Sequence, residues 1–476
     1  MKLNRLSSWT VIVVTALSVG GCAKNPATGG RQLSFISEAQ EVELGRQAAQ
    51  EAQQSIGLVR DPELQEYVSR IGLALAATSE RPNLPWQFQV VDDPSPNAFA
   101  LPGGFIFVTR GMLALMTSEA ELASVLGHEI GHVTARHSVN QISKQQLAQL
   151  GLGLGSIFFP SVQELSPVIG SGLGLLFLKY GRDDEREADE LGFSYASRGG
   201  YDVSEFGDVF EALGRASQEQ AGALPGWLSS HPTSEERVQT ARARAAAAPA
   251  AANARVGRDE FLRRLDGLVY GKDPRQGFFR EGTFYHPDLQ FEVRFPGGWQ
   301  GQNLTQAVVA AAPDGAAAVE LTLAPVATAE DGLRRFTAQQ GLQFGTPGRR
   351  TINGLPAAGV EFAAPTEQGT IRGLVLYIEH RERVFQLVGY TAAQRFAAHS
   401  GAIASTLESF APVRDRSVLD VQPSRIQIVQ LDRPQTLAEF AQRYKSSISL
   451  EQLVVLNHVP AASTRLPAGT LVKRVS

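Results

Sequence analysis

The sequence predicts a multidomain protein. A mainly α-helical domain with a small β-sheet runs to about residue 255, an α+β domain spans 282–412, and a small βααβ module spans 424–476. Three observations support this division. At 476 residues the chain exceeds the ~250–300 at which single cores stop growing. Apolar residues recur at helical spacing in the first half, whereas two-residue alternation takes over after about Gly282. Between the two patterns lies Ala241–Ala254, an Ala-rich, Pro-broken run that reads as a fraying helix end and linker. The composition, 43% hydrophobic and 19% charged with a formal charge of −4, is that of a globular protein and gives no sign of a nucleic-acid partner.

From the N-terminus, Lys2 and Arg5 precede an apolar run, Trp9 to Leu17, too short to span a bilayer and of the length of a signal peptide. It ends in Val19-Gly20-Gly21-Cys22, small residues before the sole cysteine of the chain. A lone cysteine there reads as a lipid-attachment site, with residues 1–22 as the lipoprotein signal. Trp86 to Val91 alternates like a strand, and Gly103-Gly104 turns the chain into a second strand, Phe105 to Thr109.

Ser118-Glu119-Ala120-Glu121 opens a helix like a capping box, and Leu122, Val125, Leu126, Ile130 and Val133 keep an apolar stripe along it. On that helix His128 and His132 are i and i+4, so both imidazoles leave one face and can hold one Zn²⁺. Glu129 beside them has a carboxylate free to work on a metal-bound water. His137, five residues past His132, turns about 140° away on a continued helix and reads as structural, forming with Arg136 a charge pair at the helix C-terminus. The apolar, Gly-rich stretches Leu147 to Phe159 and Val168 to Leu178 each fall short of the ~20 residues of a span and read as two helices or a lid over a cleft. In Arg182 to Gly192, Glu185 and Asp189 are again i and i+4. One can bind the metal while the other accepts the free ring N–H of a ligand histidine. Glu187 and Glu190 fall on other faces and read as solvated.

Beyond the Ala-rich run, an amphipathic helix from Asp259 to Tyr270, in the 256–281 connection, packs back through Phe261, Leu262, Leu265 and Leu268. In 282–412, strands are predicted at Gln290–Phe295, Ala318–Leu323, Leu374–Ile378 and Val384–Tyr390, and helices at Glu330–Gln340 and Gln394–Phe410. That domain has no convergent His, Cys or acid cluster and reads as a binding or spacer domain. In the last module, strands at Ile426–Val429 and Leu466–Val472 bracket helices at Thr436–Ala441 and Leu450–Asn457. His286, His380, His399 and His458 have no partner at ligand spacing.

The H-E-x-x-H of 128–132, the E-x-E-A-D-x-x-G of 185–192, and His231-Pro232 with Arg237 occur together with Asn97–Gly104 and Asn25–Leu33. From about Cys22 to Arg244 this combination resembles the BepA-like (YfgC-like) periplasmic zinc metalloproteases, gluzincins related to HtpX and the CAAX prenyl endopeptidases. The resemblance implies a gluzincin metallopeptidase domain over 23–255 with one zinc held by His128, His132 and Glu185. It makes Glu129 the general base and Asp189 the orienter of a ligand histidine. It gives His231 the part of a fourth ligand that holds the enzyme latent, and places Arg237 near the site as a polar contact, either residue being available to a developing oxyanion. An edge strand containing Asn97, Ala98, Phe99 and Ala100 would hold the substrate backbone by strand addition. The 282–412 domain resembles the PsbP/Mog-like fold. The last module resembles LysM, which binds N-acetylglucosamine polymers such as peptidoglycan, although Pro434-Gln435 stands where that family has Gly-Asp. Ala23 after the cysteine points, by analogy with enteric lipoprotein sorting, to the outer membrane. The implied function is a lipid-anchored zinc endopeptidase at the periplasmic face of the outer membrane of a Gram-negative bacterium, acting on envelope proteins in quality control. The other reading is a chaperone or scaffold lipoprotein near peptidoglycan with latent or rare proteolysis.

Overall fold

The computed structural model describes residues 22–151, 180–219, 227, 231, 235–247, 253–304, 306–366 and 369–476. Contacts divide them into two units, one of residues up to Gly271 together with Ser424–Ser476, the other Lys272–Pro423. In the first unit, β1 (Cys22–Lys24) and β2 (Arg31–Leu33) pair antiparallel. They lead into α1 (Glu38–Ile56), capped by Ser37 and Gln40 in a capping box, and α2 (Pro62–Ala76), capped by Asp61 with Pro62 at its first position. Next come β3 (Gln87–Val91), β4 (Ala98–Leu101) and β5 (Phe105–Thr109), ordered β3-β5-β4, with β4 antiparallel to β5 and β3 parallel to it. Gly103 and Gly104 between β4 and β5 both have positive φ, which side chains resist there. The remaining helices are α3 (Arg110–Leu115), α4 (Glu119–Thr134), α5 (His137–Gly151), α6 (Arg182–Arg198), α7 (Glu205–Glu219), α8 (Glu235–Ala247) and α9 (Arg258–Arg264). Residues 1–21, which hold the predicted signal, lie outside the described residues. So do most of the two apolar stretches, of which only 147–151 is seen, as the end of α5. Among the described residues no helix is long and apolar enough to cross a membrane.

Helix α4 is buried along its whole length, polar residues included. A buried charge requires a partner, and each acid of its first turn has several. Glu119 accepts from the hydroxyls of Tyr67 (2.6 Å) and Tyr201 (2.8 Å) and pairs with Arg255 (2.6 Å). The predicted capping box is only half made. Ser118 Oγ accepts from Glu121 N (3.1 Å), but the Glu121 carboxylate is drawn to Thr117 N and Oγ1 and to His458.

The second unit is α+β. An antiparallel sheet contains Ala317–Ala324, Leu355–Thr366, Gly369–His380 and Arg383–Ala392, with helix Ala329–Thr337 on one face and helix Phe396–Glu408 on the other. A smaller sheet holds Phe278–Arg280, Thr283–His286, Phe291–Arg294 and Ala411–Pro412.

Residues 424–476 fold as strand Ile426–Gln430, helices Leu437–Arg443 and Leu450–Leu456, and strand Leu471–Val475, with the two long strands paired. The closing strand starts five residues later than predicted, because Pro467 lacks an N–H and Gly469 has a φ of 86°. Helix α9 ends at Arg264 instead of Tyr270. There Gly267 N and Leu268 O bond instead to Ile426, and Gly267 adopts a φ of 83°. Phe261, Leu262, Leu265 and Leu268 are nonetheless in the core, and Ile426, Val455 and Leu471 join that same core.

The terminal module is thereby part of the first unit, and two buried polar contacts fasten it to the entrance of α4. Lys473, with no exposed surface, donates from Nζ to Ala114 O (2.8 Å), Leu115 O (3.2 Å) and Met116 O (2.8 Å), the carbonyls that α3 leaves open at its end. His458, which has no partner at ligand spacing in the sequence, places Nδ1 3.1 Å from Glu121 Oε1. Lys473→Met leaves three buried carbonyls without a donor, and we expect it to cost about 3 kcal/mol in urea unfolding. A loss under about 0.5 kcal/mol would show that the contact does not fasten the module.

Candidate metal centre

Helices α4 and α6 touch backbone to backbone. A Cβ on Gly192 would sit 2.7 Å from His128 N, one on Gly127 2.9 Å from Gly192 O, and one on Gly131 3.0 Å from Ala188 O. The small residues at 188 and 192 therefore let α6 approach closely enough for its acids to reach the histidines of α4. At this seam His128, His132, Glu185 and His231, all buried, each offer one ligand atom within 4.8 Å of the others. His128 Nε2 lies 3.0 Å from His132 Nε2 and 3.2 Å from His231 Nδ1. Glu185 Oε1 lies 2.8 Å from His231 Nδ1 and 3.5 Å from His132 Nε2. Tetrahedral zinc with bonds of ~2.0–2.1 Å spaces its ligands by about 3.4 Å, so the donor set and its spacing both fit one Zn²⁺.

The far nitrogens of His128 and His132 each face a polar partner. His128 Nδ1 is 2.9 Å from Asp189 Oδ1, and Arg237 grips Asp189 with Nε (2.8 Å) and Nη2 (2.7 Å) while Nη1 reaches Glu185 Oε2 (2.7 Å). Burial would raise the Asp189 carboxyl, but the hydrogen bonds from His128 and Arg237 prevail and hold it at about 2. Arg237 thus ties together the two acids of α6, with its guanidinium over Phe210 and Trp227.

His132 Nδ1 is 2.9 Å from His137 Nδ1, whose Nε2 is 3.1 Å from Glu187 Oε2. Two expectations are corrected here. His137 does not point away, because α4 stops at Thr134 and Arg136 takes a left-handed φ of 59°, so His137 starts a new helix turned back on the site. Arg136 forms no charge pair with it, but donates to Glu41 and to Ile36 O. Glu187 is not a solvated acid either. Its Oε1 accepts from Asn25 Nδ2 (2.8 Å) and Thr28 Oγ1 (2.7 Å). Glu190 does lie on the surface, 3.6 Å from Arg244.

The Nε2 atoms of His128 and His132 face each other at 3.0 Å, and when each ring carries its proton on Nδ1, beside Asp189 and His137, both present lone pairs. That arrangement is repulsive until a cation lies between them. Burial, and next the neighbouring His128 and His231, hold the His132 imidazole well below its ordinary range, which keeps it neutral and able to ligate. Burial would also lower His231, but Glu185 and Glu129 raise it above the ordinary value.

Glu129 Oε1 accepts from Trp227 Nε1 (3.3 Å) and lies 3.7 Å from His231 Nε2, and Glu129 Oε2 is buried without a hydrogen-bond partner among the described residues. Trp227 carries no signal in sequence. It stacks on His231 (ring centroids 5.0 Å apart), and its backbone N–H donates to Pro96 O just before β4. Tyr180, also missed, stacks on His132 with centroids 4.0 Å apart. Strand β4 is an edge strand, and Thr109 N donates to Asn97 O. By antiparallel alternation the N–H and C=O of Ala98 and Ala100 then face the edge that no described strand pairs, while Phe99 pairs with Phe107 of β5, and the whole strand is buried.

Residues 62–245, which include all of these metal-centre groups except Asn25 and Thr28, match the family model of Peptidase family M48, whose members are zinc metalloproteases. The chain is 35% identical over 173 residues to the mitochondrial metalloendopeptidase OMA1 of Schizosaccharomyces pombe, covering 36% of this chain and 50% of that one. It is 30% identical over 229 residues to the Beta-barrel assembly-enhancing protease of Yersinia pestis, covering 46% and 47%. The chain thus spans about half the length of these curated relatives. A solved structure of cyanobacterial PsbP from Synechocystis sp. PCC 6803 matches 27% of this chain and 91% of its own at 16% identity. Its TM-score of 0.24 is too low to argue from.

The seam between α4 and α6 yields a test. Gly192→Val forces the helices apart, and we expect a loss of about 3 kcal/mol of stability together with loss of zinc binding. Gly214→Ala, in open space on α7, should be neutral or gain up to ~1 kcal/mol. Zinc stoichiometry and thermal unfolding of both variants check this, and full zinc binding by Gly192→Val would refute it.

Proposed function

We propose that this chain, which carries a peptidase family M48 domain over residues 62–245, is a zinc-dependent endopeptidase that cleaves proteins of the bacterial envelope. The observation that carries the catalytic reading is the buried convergence of two facing imidazole Nε2 atoms with Glu185 and His231, beside a carboxylate with one oxygen unpartnered among the described residues. His128, His132 and Glu185 hold the zinc in this reading. Bound there, zinc supplies Lewis acidity to the scissile carbonyl and to water. Glu129 takes the water proton and returns it to the leaving amine, a general acid–base contribution of about 10²–10⁴-fold. Trp227 holds one oxygen of Glu129 and leaves the other for this work. Asp189 fixes the tautomer of His128, and Arg237 steadies both acids of α6. The segment Asn97–Ala100 takes the substrate backbone as an added strand through Ala98 and Ala100 once this buried edge is uncovered, beside Trp227, whose backbone N–H donates to Pro96 O. His231, within ligand distance, closes the remaining position and keeps the enzyme latent until it moves.

The setting is inferred from the relatives and from the sequence. The name of the Yersinia protein, Beta-barrel assembly-enhancing protease, supports envelope quality control as the task and the periplasm as the place. Val19-Gly20-Gly21-Cys22 supports a lipid anchor at Cys22 in the outer membrane. The α+β unit is read as a PsbP/Mog-like binding or spacer domain. The terminal module is read as LysM-like, a fold that binds peptidoglycan glycans, and its strand–helix–helix–strand order supports that fold.

Zinc content and casein cleavage of the full chain test the enzyme. We expect about one zinc per chain, and in Glu129→Gln unchanged zinc with cleavage reduced at least ~10²-fold. His231→Ala should cleave faster than the parent if that histidine enforces latency. Cleavage that persists in Glu129→Gln would remove the catalytic reading and leave a scaffold.

A further inference from the structure

The four ligand candidates leave one chain of groups unused, buried at the histidines and reaching the surface at its far end. From His132 it runs to His137, then Glu187, and ends on Asn25 and Thr28 in the turn between β1 and β2, outside the matched 62–245 region. That turn is itself fixed. Asn25 is 7% exposed, and its Oδ1 accepts from Ala27 N (2.9 Å) and Thr28 N (3.3 Å), so its amide must present Nδ2 to Glu187. Asn25 N also bonds Gly30 O across the turn (2.7 Å).

With both imidazoles in their neutral form, as a ligand histidine requires, the proton order along the chain has a single solution. Glu187 as a carboxylate only accepts, so His137 carries its proton on Nε2 and offers a lone pair at Nδ1. His132 must then carry its proton on Nδ1, which leaves Nε2 bare and facing the ligand group. Each link depends on the one before, and the first is the turn that supplies two donors to Glu187 Oε1. Asp184 Oδ1, the other acid facing His137, is 3.9 Å away, too far to set its tautomer.

We infer that the Asn25–Gly30 turn is a positioning element of the metal centre, acting on His132 through Glu187 and His137. The inference rests on His128, His132 and Glu185 holding zinc as proposed above. Glu187→Gln removes the obligate acceptor. A glutamine can donate to His137 Nε2, which sends the His137 proton to Nδ1. His132 must then accept at Nδ1 and carry its own proton on Nε2, where it blocks the metal. The paired change Asn25→Ala/Thr28→Val leaves the carboxylate in place but unfastened.

The test measures zinc affinity of the full chain by chelator competition, with the Co²⁺ absorption spectrum as a second readout of the ligand field. Thermal unfolding of the zinc-free forms is followed alongside. Glu187→Gln should weaken zinc about 10–100-fold and the Asn25/Thr28 pair about tenfold, each with an altered cobalt spectrum. Thr28→Ser, which keeps the hydroxyl, should restore the affinity lost in Thr28→Val. The zinc-free melting temperatures should stay within about 2 °C of the parent. Unchanged zinc affinity in Glu187→Gln and in the pair would overturn the inference while leaving the zinc reading intact. So would a weakening matched by an equal loss of zinc-free stability, which marks a merely structural turn. A parent chain that binds no zinc defeats the zinc reading itself, and the inference with it.

Discussion

Two helices in backbone contact impose the conditions that the rest of the first unit satisfies. With Gly127, Gly131, Ala188 and Gly192 at the seam, no side chain stands between α4 and α6, and residues 128, 132, 185 and 189 must share the one space beside it. The same contact helps to enclose α4 completely. A helix so enclosed cannot leave its carboxylates and imidazoles to water, and desolvating an unpaired charge costs several kcal/mol. The partners accordingly come from distant points in the chain: Tyr67, Tyr201, Arg255 and His458 at its start, and Asp189, Trp227 and His137 at its functional end. Polar burial on this scale gives little net stability, but it leaves each buried group a single satisfactory arrangement.

What the sequence disclosed follows from which interactions are local. The shared face of His128 and His132, and that of Glu185 and Asp189, needs only the helical repeat, and both pairs do lie on one face in the structure. In the α+β unit the strands Phe291–Arg294, Ala317–Ala324 and Arg383–Ala392 lie within two residues of the spans that alternation predicts, whereas Gly369–His380 begins five residues before Leu374 and Leu355–Thr366 is not predicted. His137 was misplaced because the helix appeared to continue. Its end is set by a left-handed arginine, Arg136, where a glycine would have given warning. Glu187 sits in a charge run that resembles a solvated face, and its partners are 162 and 159 positions away. Trp227, Lys473 and His458 lack any local pattern, since each is meaningful only against a residue brought near by the fold. Small residues in the 185–192 motif were read for their neighbouring acids, and their own role, close approach, became visible only with the second helix in place.

The chain leaves the first unit and returns to it at one spot. Tyr270 N bonds Ser424 O, and Val269 bridges to Arg425, so the ends of the 272–423 segment are neighbours on a single surface. Topologically that segment is an insertion between two adjacent points, and its presence demands no change in how the first unit is threaded. Chains with adjacent insertion points accept or lose a whole domain without disturbing the core that flanks it. The terminal module differs in this respect, since Ile426, Val455 and Leu471 are part of that core.

The grip of Lys473 on the end of α3 spans 359 positions of sequence. At a ribosomal rate of ~5–20 residues per second, about 20–70 s separate the synthesis of the two sides of this contact. Throughout that interval the carbonyls of Ala114, Leu115 and Met116 lack their ammonium donor, and Glu121 lacks its imidazole. Until the last strand is in place, the start of α4 is held through Glu119 by Tyr67, Tyr201 and Arg255, and the terminal module adds its two contacts to a helix already paired at that end.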